Sequence, residues 1–143
     1  MKEALTLAQK AAEKGEVPVG AVIVYRNKII GKGYNKRESR QNALCHAELL
    51  AIDEACRTLG SWRLTDCEMF VTLEPCPMCT GAIINARIER VVFGAYDENM
   101  GCMGGLCNLT QLPCFSHAQI IGGYMEEEAS NLLSDFFSKL RKT

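Results

Sequence analysis

Two short segments, Cys45-His46-Ala47-Glu48 and Glu74-Pro75-Cys76-Pro77-Met78-Cys79, dominate what this chain can become. Each stands where a loop or strand gives way to a helix, and Pro77 suits a first helical turn. A Cys-x-x-Cys turn brings two sulfurs to one ion, and the dipole of the helix it opens favours the thiolate that a metal requires. Imidazole nitrogen and thiolate sulfur are donors that zinc takes readily. His46, Cys76 and Cys79 are therefore candidate zinc ligands. A fold that satisfies them must carry two successive helix starts to one point.

Three protein donors leave a fourth tetrahedral position for water, whose pKa zinc lowers from about 16 to about 7. Attack on an aromatic amidine carbon also needs a proton delivered to the ring nitrogen and later to departing ammonia. Glu48, near the metal but not on it, is the candidate shuttle. Positions two apart in a regular helix diverge by about 200°, so His46 and Glu48 are expected at an irregular first turn. The bland readings differ: Cys-x-x-Cys alone can be a redox pair, and a closed structural zinc site would take Cys45 or Cys102 as its fourth ligand. Together the two segments match the signature of zinc nucleobase deaminases, which favours catalysis.

The remaining sequence supplies a frame. Leu5, Ala8 and Ala12, with Leu7 and Ala11, give Lys2 to Lys14 a helical stripe that Gly15 ends. Val17 to Tyr25 reads as a buried strand, and Arg26-Asn27 turns the chain into a second strand, Lys28 to Tyr34. Asn35 to Asn42 reads as a loop, Leu44 to Leu59 as a helix stopped by Gly60, and Cys67 to Leu73 as a third strand. Met78 to Ala86 is helical, Arg90 to Gly94 is a fourth strand, and Asp97 to Gly105 is a glycine-rich loop. Leu106 to Leu112 reads as a short helix, Ala118 to Ile121 as a short strand, and Glu126 to Leu140 as a closing helix with acids first and bases last. This order predicts a single α/β domain over residues 1–143, three layers deep, with a mixed five-stranded sheet flanked by helices. The first two strands form an antiparallel hairpin, and the later strand–helix–strand units are expected as right-handed parallel crossovers.

A chain of 143 residues with 48% hydrophobic and 23% charged content is sized for one core and is not disordered. No apolar run reaches membrane-spanning length, so no membrane partner is expected; Pro18 and Gly20 interrupt the nearest run, Val17 to Val24. Met1-Lys2-Glu3-Ala4-Leu5 reads as the start of an amphipathic helix, not an export signal. The expected compartment is the cytoplasm, and the eight cysteines are expected as reduced thiols, with Cys56 and Cys67 in the core. A net charge of −1 offers phosphates no overall attraction, but Lys32, Lys36, Arg37 and Arg40 cluster against the single acid Glu38.

Over almost its full length the sequence resembles the bacterial tRNA-specific adenosine deaminases, within the cytidine-deaminase-like superfamily. The matching stretches are Gly15–Ala21, His46-Ala47-Glu48, Gly60–Leu64, Val71–Cys79, Arg90–Ala95 and Asn131–Phe137. The resemblance implies a homodimer with one zinc per subunit, acting on a tRNA anticodon loop to convert the wobble adenosine to inosine. It assigns zinc ligation to His46, Cys76 and Cys79, proton shuttling to Glu48, and a hydrogen bond with the flipped nucleotide to Asn35. The plain alternative for Asn35 is a turn residue after the second strand. Asp97 matches an acid near the substrate backbone and could equally be a loop solubiliser. Cys45 stands where alanine is usual and Cys107 where methionine is common. Cys102, Cys107, Cys114 and His117 are too irregularly spaced to make a convincing second metal site, and His117 resembles a structural element of the family. Two other functions remain open to the sequence. A deaminase of a free base or nucleoside, guanine or cytosine, suits the charge better; a non-catalytic zinc-stabilised binding module would have no need of Glu48.

Overall fold

A computed structural model describes residues 1–113 and 118–142. Its elements are α1 (Lys2–Glu13), β1 (Gly20–Tyr25), β2 (Lys28–Tyr34), α2 (Arg37–Arg40), α3 (Ala47–Leu59), β3 (Cys67–Leu73), α4 (Pro77–Asn85), β4 (Arg90–Ala95), a 3-10 turn at Leu109–Gln111, β5 (Gln119–Ile121) and α5 (Glu126–Arg141). Among the described residues the strands form one mixed five-stranded sheet in the order β2-β1-β3-β4-β5. Strand β1 is antiparallel to both neighbours, and β3, β4 and β5 are mutually parallel. Since β2 and β3 both oppose β1, they run the same way, and α3 is the crossover that carries the chain past β1.

The two-residue period of the strands divides the packing. On one face Ala21, Ile23, Met69, Val71, Val91 and Phe93 meet Ala47, Ala51 and Ala55 of α3 and Ile83 of α4 in the main core. The residues between them face α1 and α5, where Gly20 lies against Ala4 and Ala8 and Gly94 lies against Ala129. The expected three layers follow. Small residues set the spacing on the α3 side: a Cβ on Gly33 would strike the Ala47 carbonyl and Ala51 nitrogen, so glycine lets this helix lie directly on β2.

Several boundaries differ from the sequence expectation. Strand β1 begins at Gly20 and not at Val17, because Pro18 lacks an N–H and the Val17 carbonyl accepts from Val19 N and Asn35 Nδ2 instead of a ladder partner. Helix α3 begins at Ala47 and not at Leu44: Asn42 Oδ1 holds Leu44 N in a turn, and Asn35 Oδ1 takes the Ala47 N–H. The expected loop after β2 contains the four-residue helix α2, whose Glu38 and Ser39 N–H groups are satisfied by the Glu16 carboxylate. Helix over Leu106 to Leu112 shrinks to the 3-10 turn, capped by Asn108 Oδ1 on Thr110 N.

Candidate active site

Strands β2, β3 and β4 all end at the same edge of the sheet, where Tyr34 pairs with Gly20 and Leu73 with Ala95. Crevices at such strand ends are where open α/β sheets take ligands. Helices α3 and α4 both start there, so their positive ends converge. His46 is the N-cap of α3 in extended conformation (φ −83, ψ 151), and Glu48 is two residues on. Cys76 is the extended N-cap of α4, Pro77 its first residue and Cys79 its third. The irregular first turn required for His46 and Glu48 is therefore an N-cap.

The three donor atoms lie within 4.8 Å of one another, with His46 Nδ1 at 3.7 Å from Cys76 Sγ and 3.6 Å from Cys79 Sγ. Tetrahedral zinc with Zn–S near 2.3 Å and Zn–N near 2.1 Å separates nitrogen from sulfur by about 3.6 Å. The donor set fits zinc in both chemistry and spacing. Among the described residues no fourth His, Cys, Asp or Glu joins this group, so neither Cys45 nor Cys102 closes it. Among the described residues nothing fills the fourth position, which a catalytic zinc site would keep for water.

The charges in the site depend on one another. A hydrogen bond from Cys79, helped by His46, pulls the Cys76 thiol down to about 4. Donating to Cys76, and being buried, Cys79 holds its proton far more tightly than an ordinary thiol. His46 is raised by its bond with Cys76. Glu48 is 4% exposed, and burial, reinforced by the Cys76 charge, pushes its carboxyl up to about 7.

A cavity of about 480 Å³ opens beside these groups; its wall includes Asn35, Arg37, His46, Glu48, Asp97 and Phe137. The sequence-derived site residues thus share one cavity wall, apart from Cys79, which is fully buried. Asn35 bridges backbone segments, donating to Val17 O at 3.1 Å and accepting from Ala47 N at 2.9 Å, and so caps the helix that presents Glu48. Asp97 turns its own loop, its Oδ1 accepting from Asn99 N at 3.0 Å and Met100 N at 3.2 Å. Of the basic cluster, Arg37 reaches the cavity and Lys36 lies over the Tyr34 ring, while Lys32 pairs with Glu3. The suggested second metal site cannot be assembled from the described residues: Cys102 and Cys107 adjoin, but Cys114 and His117 lie outside them.

Two cavity-wall acids escaped the sequence reading. Glu74 is buried, and its carboxylate accepts from Asp97 N (3.0 Å), Met103 N (2.8 Å) and Gly105 N (2.8 Å), pinning the loop after β4. Glu16, also buried, accepts from Glu38 N (3.1 Å) and Ser39 N (2.7 Å) and pins α2. A visible signal existed: each acid directly adjoins an apolar strand sequence, and Glu74 precedes a loop with glycines at 101 and 105, where a Cβ would collide with its carboxylate.

Comparison with known proteins agrees with this geometry. The family described as the cytidine and deoxycytidylate deaminase zinc-binding region matches residues 1–95. The tRNA-specific adenosine deaminase of Bacillus subtilis (strain 168) is 54% identical over 99% of this chain and 89% of its own length. A solved tRNA:A34 deaminase, studied for A-to-I editing at the wobble position of transfer RNA, superposes with a TM-score of 0.88 at 37% identity, covering 93% of this chain and 97% of its own. Guanine deaminase from Bacillus subtilis, 43% identical, gives a TM-score of 0.65 over 66% of this chain and 61% of its own. With its His/Cys/Cys group at zinc spacing and its cytidine-deaminase-like sheet, the chain belongs to the tRNA-specific adenosine deaminase family of zinc-binding deaminases.

Proposed function

We propose that residues 1–143 form one zinc-dependent deaminase domain that hydrolyses adenosine to inosine at the wobble position of a tRNA anticodon loop. What carries this reading is one imidazole and two thiols at tetrahedral spacing, with a buried carboxylate beside them on a cavity wall. His46, Cys76 and Cys79 would hold one zinc per subunit, and zinc there supplies Lewis-acid activation of water near neutral pH. Glu48 receives the proton that water gives up and passes it to the adenine ring nitrogen; it then takes the proton of the new carbon-bound hydroxyl and passes it to the departing amine, so that ammonia leaves and a carbonyl remains. The exocyclic C–N bond breaks and a C–O bond takes its place.

Asn35 keeps one amide hydrogen and one oxygen lone pair beyond its two backbone bonds, enough to orient a base in the cavity. Phe136 and Phe137, packed edge to face at 5.3 Å, border the same cavity and offer aromatic surface to an unstacked base. Arg37 on the cavity wall and Lys36 over the Tyr34 ring are the cations that would meet phosphates. An anticodon loop suits such a site because its bases are extruded at less cost than those of a duplex. Among the described residues no helix is long and apolar enough to cross a membrane. We propose the cytoplasm as its compartment and, as the family resemblance implies, a homodimer; equilibrium sedimentation at a protomer mass would refute the dimer.

The guanine deaminase similarity supports a competing free-base reading. Transcribed tRNA, guanine, cytosine and free nucleosides, each incubated with zinc-loaded protein, separate the two. Inosine in tRNA, lost in Glu48→Ala with zinc still bound, is the expected result. Ammonia released only from free bases would reverse the substrate assignment, and full turnover by Glu48→Ala would remove the proton shuttle.

A further inference from the structure

Cys102 and Cys107 belong neither to the His46, Cys76 and Cys79 group nor to the main core. They face each other across the loop that follows β4, with Cys107 Sγ donating to Cys102 Sγ at 3.0 Å. Backbone geometry enforces the approach. Met103 and Asn108 form an isolated antiparallel bridge, Gly104 N donates to Cys107 O at 2.9 Å, Cys107 N to Gly101 O at 3.2 Å, and Leu109 N to Cys102 O at 3.0 Å. One sulfur is sheltered and the other accessible, since Cys102 is buried and Cys107 is exposed.

We propose that Cys102 and Cys107 are a site of reversible oxidation that closes a disulfide within the loop by exchange with low-molecular-mass disulfides such as oxidised glutathione. The Cys107 thiolate attacks one sulfur of glutathione disulfide; that S–S bond breaks, a mixed disulfide forms on Cys107, and one glutathione leaves as thiolate. Cys102, giving its proton to solvent, attacks Cys107 Sγ, and the second glutathione leaves as thiolate. The protein's two thiols lose two electrons and two protons, and one small disulfide becomes two thiols.

Access sets the order of the steps. Burial, with the Cys107 contact, pushes the Cys102 thiol up to about 12, so the first attack falls to the exposed partner. The second step is intramolecular between atoms already in contact, which raises the effective concentration of Cys102 far above that of any dissolved thiol. A sulfur–sulfur bond of about 2.05 Å requires a further approach of roughly 1 Å, within reach of side-chain rotation. The loop so stapled carries Asp97 and Met100 on the cavity wall and is tied to Pro75 O through Cys102 N at 2.9 Å.

The test is to incubate the zinc-loaded full chain with oxidised glutathione, trap free thiols by alkylation, and map the products by peptide mass spectrometry. The expected product carries a Cys102–Cys107 crosslink, retains its zinc, and regains both thiols with dithiothreitol. Cys102→Ser should stop as a glutathione adduct at Cys107, and Cys107→Ser should leave Cys102 unmodified. Wild-type protein that holds glutathione on Cys107 without the internal bond would overturn the proposal. So would a crosslink from Cys107 to Cys114, or zinc loss through oxidation of Cys76 and Cys79 ahead of this pair. The wild-type map decides even where a variant fails to fold.

Discussion

Replacing Glu74 with glutamine should loosen the loop after β4 while leaving the zinc ligands in place. The carboxylate takes three backbone N–H groups, Asp97 on Oε1 and both Met103 and Gly105 on Oε2. Glutamine is nearly isosteric but has one acceptor oxygen. If that oxygen keeps Met103 and Gly105, the side-chain NH₂ opposes the Asp97 N–H, donor against donor, and the two retained bonds lose their charge. Hydrogen bonds to charged groups contribute about 1.5–3 kcal/mol each, and an orphaned buried donor costs about 1–3 kcal/mol. The loop should therefore lose roughly 2–4 kcal/mol of its closed-state stability, which at 1.36 kcal/mol per decade is about a 30- to 900-fold faster amide exchange. Hydrogen exchange read at the Met103 and Gly105 amides, with zinc content measured in parallel, checks this. Exchange within about threefold of wild type, or loss of zinc comparable to a ligand mutant, would refute the assignment of Glu74 as the anchor of this loop.

Glu16 should make stability fall with acid. Bonds from Ser39 and Glu38 hold its carboxyl below the usual 4.5 against the opposing effect of burial, so ionised Glu16 stabilises the fold above that pH and the contribution is lost as pH falls through the lowered folded value. Glu16→Gln should cost about 1–3 kcal/mol near neutrality and progressively less below pH 4.5, read by urea unfolding of both proteins across that range. Gly33→Ala should destabilise by about 1–3 kcal/mol, because its Cβ collides with the α3 backbone at Ala47 and Ala51, and should weaken zinc binding by tilting the start of α3. Gly81→Ala, mid-helix in α4 with open space around it, is the control and should stabilise by up to about 1 kcal/mol in thermal melts. Chelation of zinc should lower the melting temperature, since excess zinc at a thousand times its Kd adds about 4 kcal/mol to the folded state; an unchanged melt would mean that the metal binds folded and unfolded chains alike.

The zinc-type site was legible because its requirements are local. Pro77 at the first turn and Cys-x-x-Cys across it specify α4 and both sulfurs without reference to the rest of the chain. His46 and Glu48 needed only the helical angle to reveal that their turn is irregular, and the N-cap is where it is irregular. Strands β2 and β3 matched to the residue because turn or breaker residues bound both: Arg26-Asn27 and Asn35 flank β2, and Asp66 and Glu74-Pro75 flank β3. The errors fall where tertiary partners replace local ones. Helix α2 is polar throughout and has no buried residue; it exists where Glu16, far earlier in sequence, satisfies its first turn. Asn35 reads in the sequence as a nucleotide contact or a turn residue; the structure shows its side chain as a clamp between Val17 and Ala47, a role that depends on two segments meeting.

Three buried carboxylates line the cavity, and their hydrogen bonds separate their work. Loops at a strand edge leave backbone N–H groups without ladder partners, and a carboxylate with about four lone-pair sites satisfies several at once. Glu74 and Glu16 are spent in this way, on three and two backbone donors, so neither has the freedom to act on a substrate. Glu48 differs in its neighbours: apart from its own backbone N–H, its carboxyl faces the candidate metal site, with His46, Cys76 and Cys79 beside it. A proton on Glu48 is held by the site and not by a loop, and gaining or losing it disturbs no anchor. On the proposed mechanism, that division leaves Glu48 as the one of these three buried acids with a carboxylate to spare for proton transfer.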